Sequence, residues 1–173
     1  MGKKSTRENK NIYQQCRENL ELTRDKASDL LEYISADRIE KIESERSLPH
    51  PDEILTMSQS YKAPYLCNYY CSHECPIGKH YVPEIQEKES STIILEMLAS
   101  LNSINDKKAR LIEIMADGVI SDDQIHDFVI IQNELEKISI SVESLQLWLE
   151  KTIMEKQINI ERLEKTRKEL LGE

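Results

Sequence analysis

Glycine and proline are scarce in this chain, with four and five among 173 residues, and aromatics make up only 5% of it. So few glycines exclude the glycine-rich loops that cradle phosphates, and no nucleophile elbow or His-Glu-x-x-His occurs. No catalytic constellation is present, so the expectation is a protein that is not an enzyme, with no small-molecule substrate indicated. The longest uncharged apolar run is far short of the ~20 residues that cross a bilayer. Met1-Gly2-Lys3-Lys4-Ser5 lacks the apolar core of a secretion signal, so a cytoplasmic chain without membrane partners is expected. Met1 to Thr6 also matches a myristoylation pattern, to which little weight attaches. Basic surplus is missing too. The formal net charge is −9, which disfavours unspecific contact with polyanions and requires any nucleic-acid contact to be local.

What remains is a helical composition, 32% charged, and an all-α fold follows. Over residues 11–63, short apolar repeats recur at helical spacing: Ile12 with Cys16 and Leu20, Ala27 with Leu30 and Leu31, Ile39 with Ile42, and Ile54 with Leu55 and Met57. Four or five short helices are expected there. Thr23 and Ser35 have the chemistry of N-caps, and Pro51-Asp52-Glu53 that of a first helical turn. Residues 1–10, with Lys3, Lys4, Arg7 and Lys10, form an expected flexible basic arm. Residues 64–86 hold three cysteines, four tyrosines and three prolines, and are expected to be a compact connector. Residues 87–173 have no proline. They carry two long stripes, one from Ile94 to Met115 and one from Ile125 to Ile153, with a shorter terminal helix. Their spacing implies a long antiparallel helical hairpin turning at Asp117-Gly118, with apolar surface left over for a partner, so packing onto the first domain or onto a second copy of the chain is expected.

The stretch from Tyr13 to Tyr61 resembles the Cro/lambda-repressor-like (XRE family) helix-turn-helix domain. Leu22-Thr23 stands where the family's second helix opens, Ala27 where a small residue allows a close crossing, and Ile39, Ile42 and Glu43 match the family's Ile-x-x-Ile-Glu, with Pro49 and Ile54-Leu55 following in order. The resemblance implies a DNA-binding transcriptional regulator dimerising through its C-terminal helices, with double-stranded DNA as partner. It assigns Ser35, Ala36, Asp37, Arg38 and Lys41 to the major groove, and Thr23 and Arg24 to the phosphate backbone. The sequence departs from the pattern in three ways. One extra residue lies between Thr23 and Ile39, Glu32-Tyr33-Ile34 replaces the glycine that commonly ends the second helix, and Arg7 to Lys62 carries nine Lys/Arg against twelve Asp/Glu. A nucleic-acid reader is usually basic, so an interaction adaptor on the same scaffold is the alternative.

Cys67, Cys71 and Cys75, with His73 among them, are a candidate soft-metal set for zinc or an iron-sulfur cluster, and a metal or redox sensor is the third reading. Spacing argues partly against it: on one straight helix Cys67 and Cys75 would stand about 12 Å apart. The same residues serve equally as half-buried packing groups, and a helical i, i+4 pair lies within disulfide range. A similar tract ending in Cys-Pro-Ile-Gly occurs in uncharacterised bacterial regulators of this type, and it brings no established chemistry. An apparent calcium loop around Gly118 fails, because Met115 and Gln124 fall where the third and twelfth ligands belong.

Overall fold

The computed structural model describes residues 10–86, 88–116 and 120–172. Among them it is all-helical, with no strand: α1 (Ile12–Asn19), α2 (Arg24–Leu31), α3 (Ala36–Glu43), α4 (Pro51–Ser60), α5 (Tyr65–His73), α6 (Gly78–Tyr81), α7 (Ser90–Asp106), α8 (Lys108–Ala116), α9 (Ile125–Met154) and α10 (Ile160–Leu171). The connector is thus itself helical, α5 and α6, and the first long stripe is split into α7 and α8 at Lys107. The basic arm up to residue 9 and the turn at Asp117-Gly118 lie outside the described residues. The chain divides into two units, one holding the residues up to Glu84 together with those from Glu150 onward, the other Ile85–Leu149.

In the first unit, helix starts are set by side chains. Asn11 Oδ1 accepts the Gln14 N–H at 2.9 Å, Thr23 Oγ1 that of Lys26 at 3.3 Å, and Ser35 Oγ that of Arg38 at 3.2 Å. Glu53 reaches back to the His50 N–H at 2.7 Å, as an acid in a first turn should. The apolar positions of these short helices then meet in one core, in which Ala27, Leu31, Ile34, Ile39, Ile42, Ile54, Met57 and Leu66 are sealed from solvent. Ala27 leaves room for α2 to lie close on α3, and α4 carries the core onward to α5.

Except at α10, which Gly172 ends with φ 72°, helix ends are made without glycine. Glu21, Glu45 and Lys62 take left-handed φ values of 56°, 60° and 53° just after α1, α3 and α4. Each ends its helix with a Schellman pair of hydrogen bonds, for example Arg46 N–H to Lys41 O and Glu45 N–H to Ile42 O after α3, both 3.0 Å. Elsewhere a glycine would hold these positions at no steric cost. The end of α2 differs. Glu32 has φ 59° and ψ −62°, and Tyr33 N–H bonds Leu31 O at 2.7 Å, a γ-turn of the rare, strained hand. It persists because both flanks are fixed: Ile34 is buried, and the Tyr33 hydroxyl donates to Asp52 O at 2.9 Å and lies 2.6 Å from Thr56 Oγ1 on α4.

One glycine is required by space. A methyl on Gly78 would stand 2.1 Å from Cys71 O, so α6 lies directly on the backbone of α5. In the second unit, Ile93, Ile114 and Ile131 are buried, together with Ser100, Glu134, Ser141 and Ser144. Arg110 on α8 bonds Asp127 on α9 at 2.7 Å, and Ser100 on α7 interacts electrostatically with Glu134 on α9.

Two outcomes follow for thermal unfolding. Glu32→Gly relieves the γ-turn and is expected to stabilise by about 1 kcal/mol, a rise of several degrees in Tm. Gly78→Ala is expected to cost about 1–3 kcal/mol, because the obstacle is backbone and cannot turn aside.

Candidate functional site

The paired helices α2 and α3 hold all seven residues assigned to duplex contact or their caps. Their geometry follows from a carboxylate at the end of α3. Glu43, 3% exposed, accepts two hydrogen bonds from Arg17 of α1, at 2.5 and 2.9 Å, and one from Arg24 Nε of α2 at 2.8 Å. Arg17 also donates to Leu22 O, and Asn11 Nδ2 to Ile42 O at 2.9 Å. One buried charge thus fixes the positions of three helices, and its satisfied oxygens are what make burial tolerable.

Arg24, expected at a phosphate, is therefore already bonded to Glu43. Arg38, expected at a base edge, is engaged likewise. Its Nε and Nη2 donate to both Glu53 oxygens at 2.7 and 2.6 Å, Nη1 to Ser47 Oγ at 2.6 Å, and Nη2 to Leu48 O at 2.9 Å. Burial pushes the Glu53 carboxyl up, but the hydrogen bonds from Arg38 and the His50 N–H outweigh it and hold the group below the ordinary carboxylate range. Thr23 and Ser35 point their oxygens at the first N–H groups of their own helices. Ala36 is half-buried. Asp37 and Lys41 pair with each other at 2.7 Å on the outside of α3, with side chains 73% and 48% exposed. The outer edge of α3 therefore stays open while Ile39, Ile42 and Glu43 on its inner edge are locked in the core. Lys10, from the expected arm, pairs with Glu18 at 2.6 Å.

The connector brings Cys67 and Cys71 onto α5 and puts Cys75 just beyond its end, where Cys75 Sγ accepts the Gly78 N–H at 3.4 Å. Burial, then the neighbouring Cys75 and Cys67, push the Cys71 thiol up, the reverse of what a nucleophile or metal ligand needs. His73 turns elsewhere. Its ring stacks on Tyr69 at 4.5 Å, Nδ1 lies 2.9 Å from Ser72 Oγ, and Nε2 is 3.6 Å from Glu84. Among the described residues no three His, Cys, Asp or Glu side chains are grouped to hold a metal ion. Cys16 packs in the core with its Sγ 2.7 Å from the Tyr65 hydroxyl.

Sequence reasoning missed one polar contact of this region. The Tyr13 hydroxyl and Glu74 Oε2 are both buried without a partner in hydrogen-bond geometry, although they interact electrostatically. Burial raises the Tyr13 hydroxyl well above its ordinary range, helped by the Glu74 charge. Glu74 is raised in turn, by burial first and then by Glu45, against the lowering influence of Tyr13, His73 and Lys79. No periodicity could have revealed this pair, since α1 and the end of α5 are some 60 residues apart.

No family model, curated protein or solved structure matches this chain.

The Glu74 pair yields a signed pH dependence. A raised folded-state pKa means that ionising Glu74 costs stability, a cost absent below the ordinary carboxylate pKa and growing as pH rises through it. Glu74→Gln is expected to raise Tm by about 2–4 °C at neutral pH and to change it little near pH 4, as read by circular dichroism melts.

Proposed function

We propose that the chain is a sequence-specific DNA-binding transcriptional regulator that meets duplex DNA with the outer edge of α3. The observation that carries this reading is the division of α3 into a locked inner edge, Ile39, Ile42 and Glu43, and an exposed outer edge, Asp37 and Lys41, beside the capped start of α2. A reading helix needs both properties, since its side chains sense base edges only when the helix itself does not move. In this proposal Lys41, Ser35 and Ala36 meet the duplex, while Arg38 and Arg24 position α3 from behind. The C-terminal helices form an antiparallel hairpin and dimerise the chain, placing two copies of α3 about 34 Å apart on successive turns of the groove. The proposal contains no catalytic step and no cofactor.

A second reading is favoured by a specific observation. Arg24, Arg38 and Lys41 are all bonded to carboxylates, so the region offers phosphate little uncompensated positive charge. The same scaffold with no duplex affinity would be a protein-binding adaptor.

Fluorescence polarisation against a pool of genomic fragments and against random duplex, at low and moderate salt, separates the two. The regulator prefers some fragments at both salts, and the adaptor prefers none. Two substitutions sharpen the result. Lys41→Ala should weaken DNA binding by about tenfold with Tm unchanged. Arg38→Ala should instead lower stability by about 2 kcal/mol, since it strands Glu53.

A further inference from the structure

The helices of the second unit have one side whose apolar groups are left exposed among the described residues. On α9, Phe128, Leu135, Val142 and Leu149 recur every seven residues and are 36–51% exposed. On α7, Ile94, Leu98 and Leu101 are 41–48% exposed at spacings of four and three. The residues through which α9 meets its neighbours are others: Ser100 of α7 shares a cleft with Glu134 and interacts with it electrostatically, and farther along the chain Arg110 of α8 bonds Asp127. As one number rises the other falls, the sense of an antiparallel pair. At about 100° per residue, each exposed column lies roughly a quarter to a third of a turn from its contact column, in the same rotational sense. In an antiparallel pair, equal rotation turns both columns to the same side. The opposite side carries charged and hydroxyl groups: a cleft of about 570 Å³ there is lined by Lys88, Glu96, Ser103, Glu134 and Lys137, with Ala99 and Ile140 between them.

We infer that the apolar side is where a second copy of this chain docks, two hairpins closing into a four-helix bundle. Three observations choose a second copy over another occupant. A seven-residue period, against the 3.6-residue turn of a free helix, is the spacing a helix keeps when its seam faces another helix in a left-handed supercoil. Charge is kept to the margin of this side. Alongside the Phe128 column, Ile125, Gln132, Ser139 and Gln146 keep the same period with no ionisable group, Glu136 and Glu143 lie beyond them, and Leu95 and Asn102 flank the α7 column. The chain carries a formal charge of −9, which opposes self-association through carboxylate-bearing surface and favours a face whose centre is uncharged. Area agrees as well. The seven side chains leave on the order of 500 Å² of apolar surface per copy, the size of a whole monomer's largest patch, and doubling it reaches the roughly 1,000 Å² that separates biological interfaces from chance contacts. A two-fold axis through the face brings like columns together, which makes the contact closed and self-complementary.

This deepens the dimerisation proposed above and does not depend on DNA contact. Sedimentation equilibrium of the full chain is expected to give twice 20.2 kDa at micromolar concentration. Leu135→Glu should give a monomer. Because that substitution is apolar to charged, Ser139→Arg provides a second arm: the side chain is exposed, folding does not need it, and its placement on the face should weaken dimerisation at least tenfold with the helical circular dichroism spectrum retained. Lys88→Ser, on the polar side, should leave the mass unchanged. A wild-type mass of 20.2 kDa throughout, or a dimer indifferent to Leu135→Glu and Ser139→Arg, overturns the inference. A dimer without fragment preference would leave it standing and remove the regulator reading instead.

Discussion

The carboxylate of Glu43 is the point on which the first unit depends. It is nearly sealed from water, and two arginines from two other helices reach it. An ion pair in such a place adds little net stability over an apolar substitute, because both partners lose their hydration. Its value is directional. Arg17 and Arg24 satisfy fixed lone pairs, so α1, α2 and α3 can meet in only one relative arrangement, whereas the isoleucines around them would accept several. That same clamp occupies one of the cations that a duplex would otherwise attract. Rigidity of α3 and its electrostatic appeal to phosphate therefore trade against each other.

Arg38 repeats the trade at the other end of α3. Its fork holds Glu53, Ser47 and Leu48, and so joins α3 to the start of α4 across the Leu48-Pro49 segment. The part of the first unit from α1 to α5 is thus a set of short helices, none stable alone at eight to ten residues, held by one apolar core and two arginine-carboxylate joints. In the second unit the balance is reversed. Polar groups such as Glu134 and Ser141 lie between the helices, and much of the apolar surface lies outside.

Much of this was legible from residue order. Helical class, the caps at Thr23 and Ser35, and the proline-led start of α4 follow from local chemistry, and local chemistry is what a single sequence carries. The inner residues Ile39 and Ile42 were visible for the same reason, through their spacing. Arg24 and Arg38 were not readable: an arginine on a short helix looks alike whether it faces solvent or a glutamate 15 to 19 residues away, and only the fold selects between them. Cys67, Cys71 and Cys75 show the converse. Their spacing suggested convergence, but α5 keeps helical geometry as far as His73 and the thiols do not gather with it. The stripe of α9 was evident as a stripe, yet the sequence could not say that Glu134 and Ser141, rather than Leu135 and Val142, would face α7.

The charged residues at the helix corners have a genetic consequence. Glu21, Glu32 and Glu45 occupy backbone conformations that glycine holds more easily, and every glutamate codon lies a single base change from a glycine codon. A lineage pressed by heat would reach firmer versions of this fold in one-step mutations at three loops, without touching the core or the outer edge of α3. Heat tolerance and recognition can therefore evolve separately in this chain.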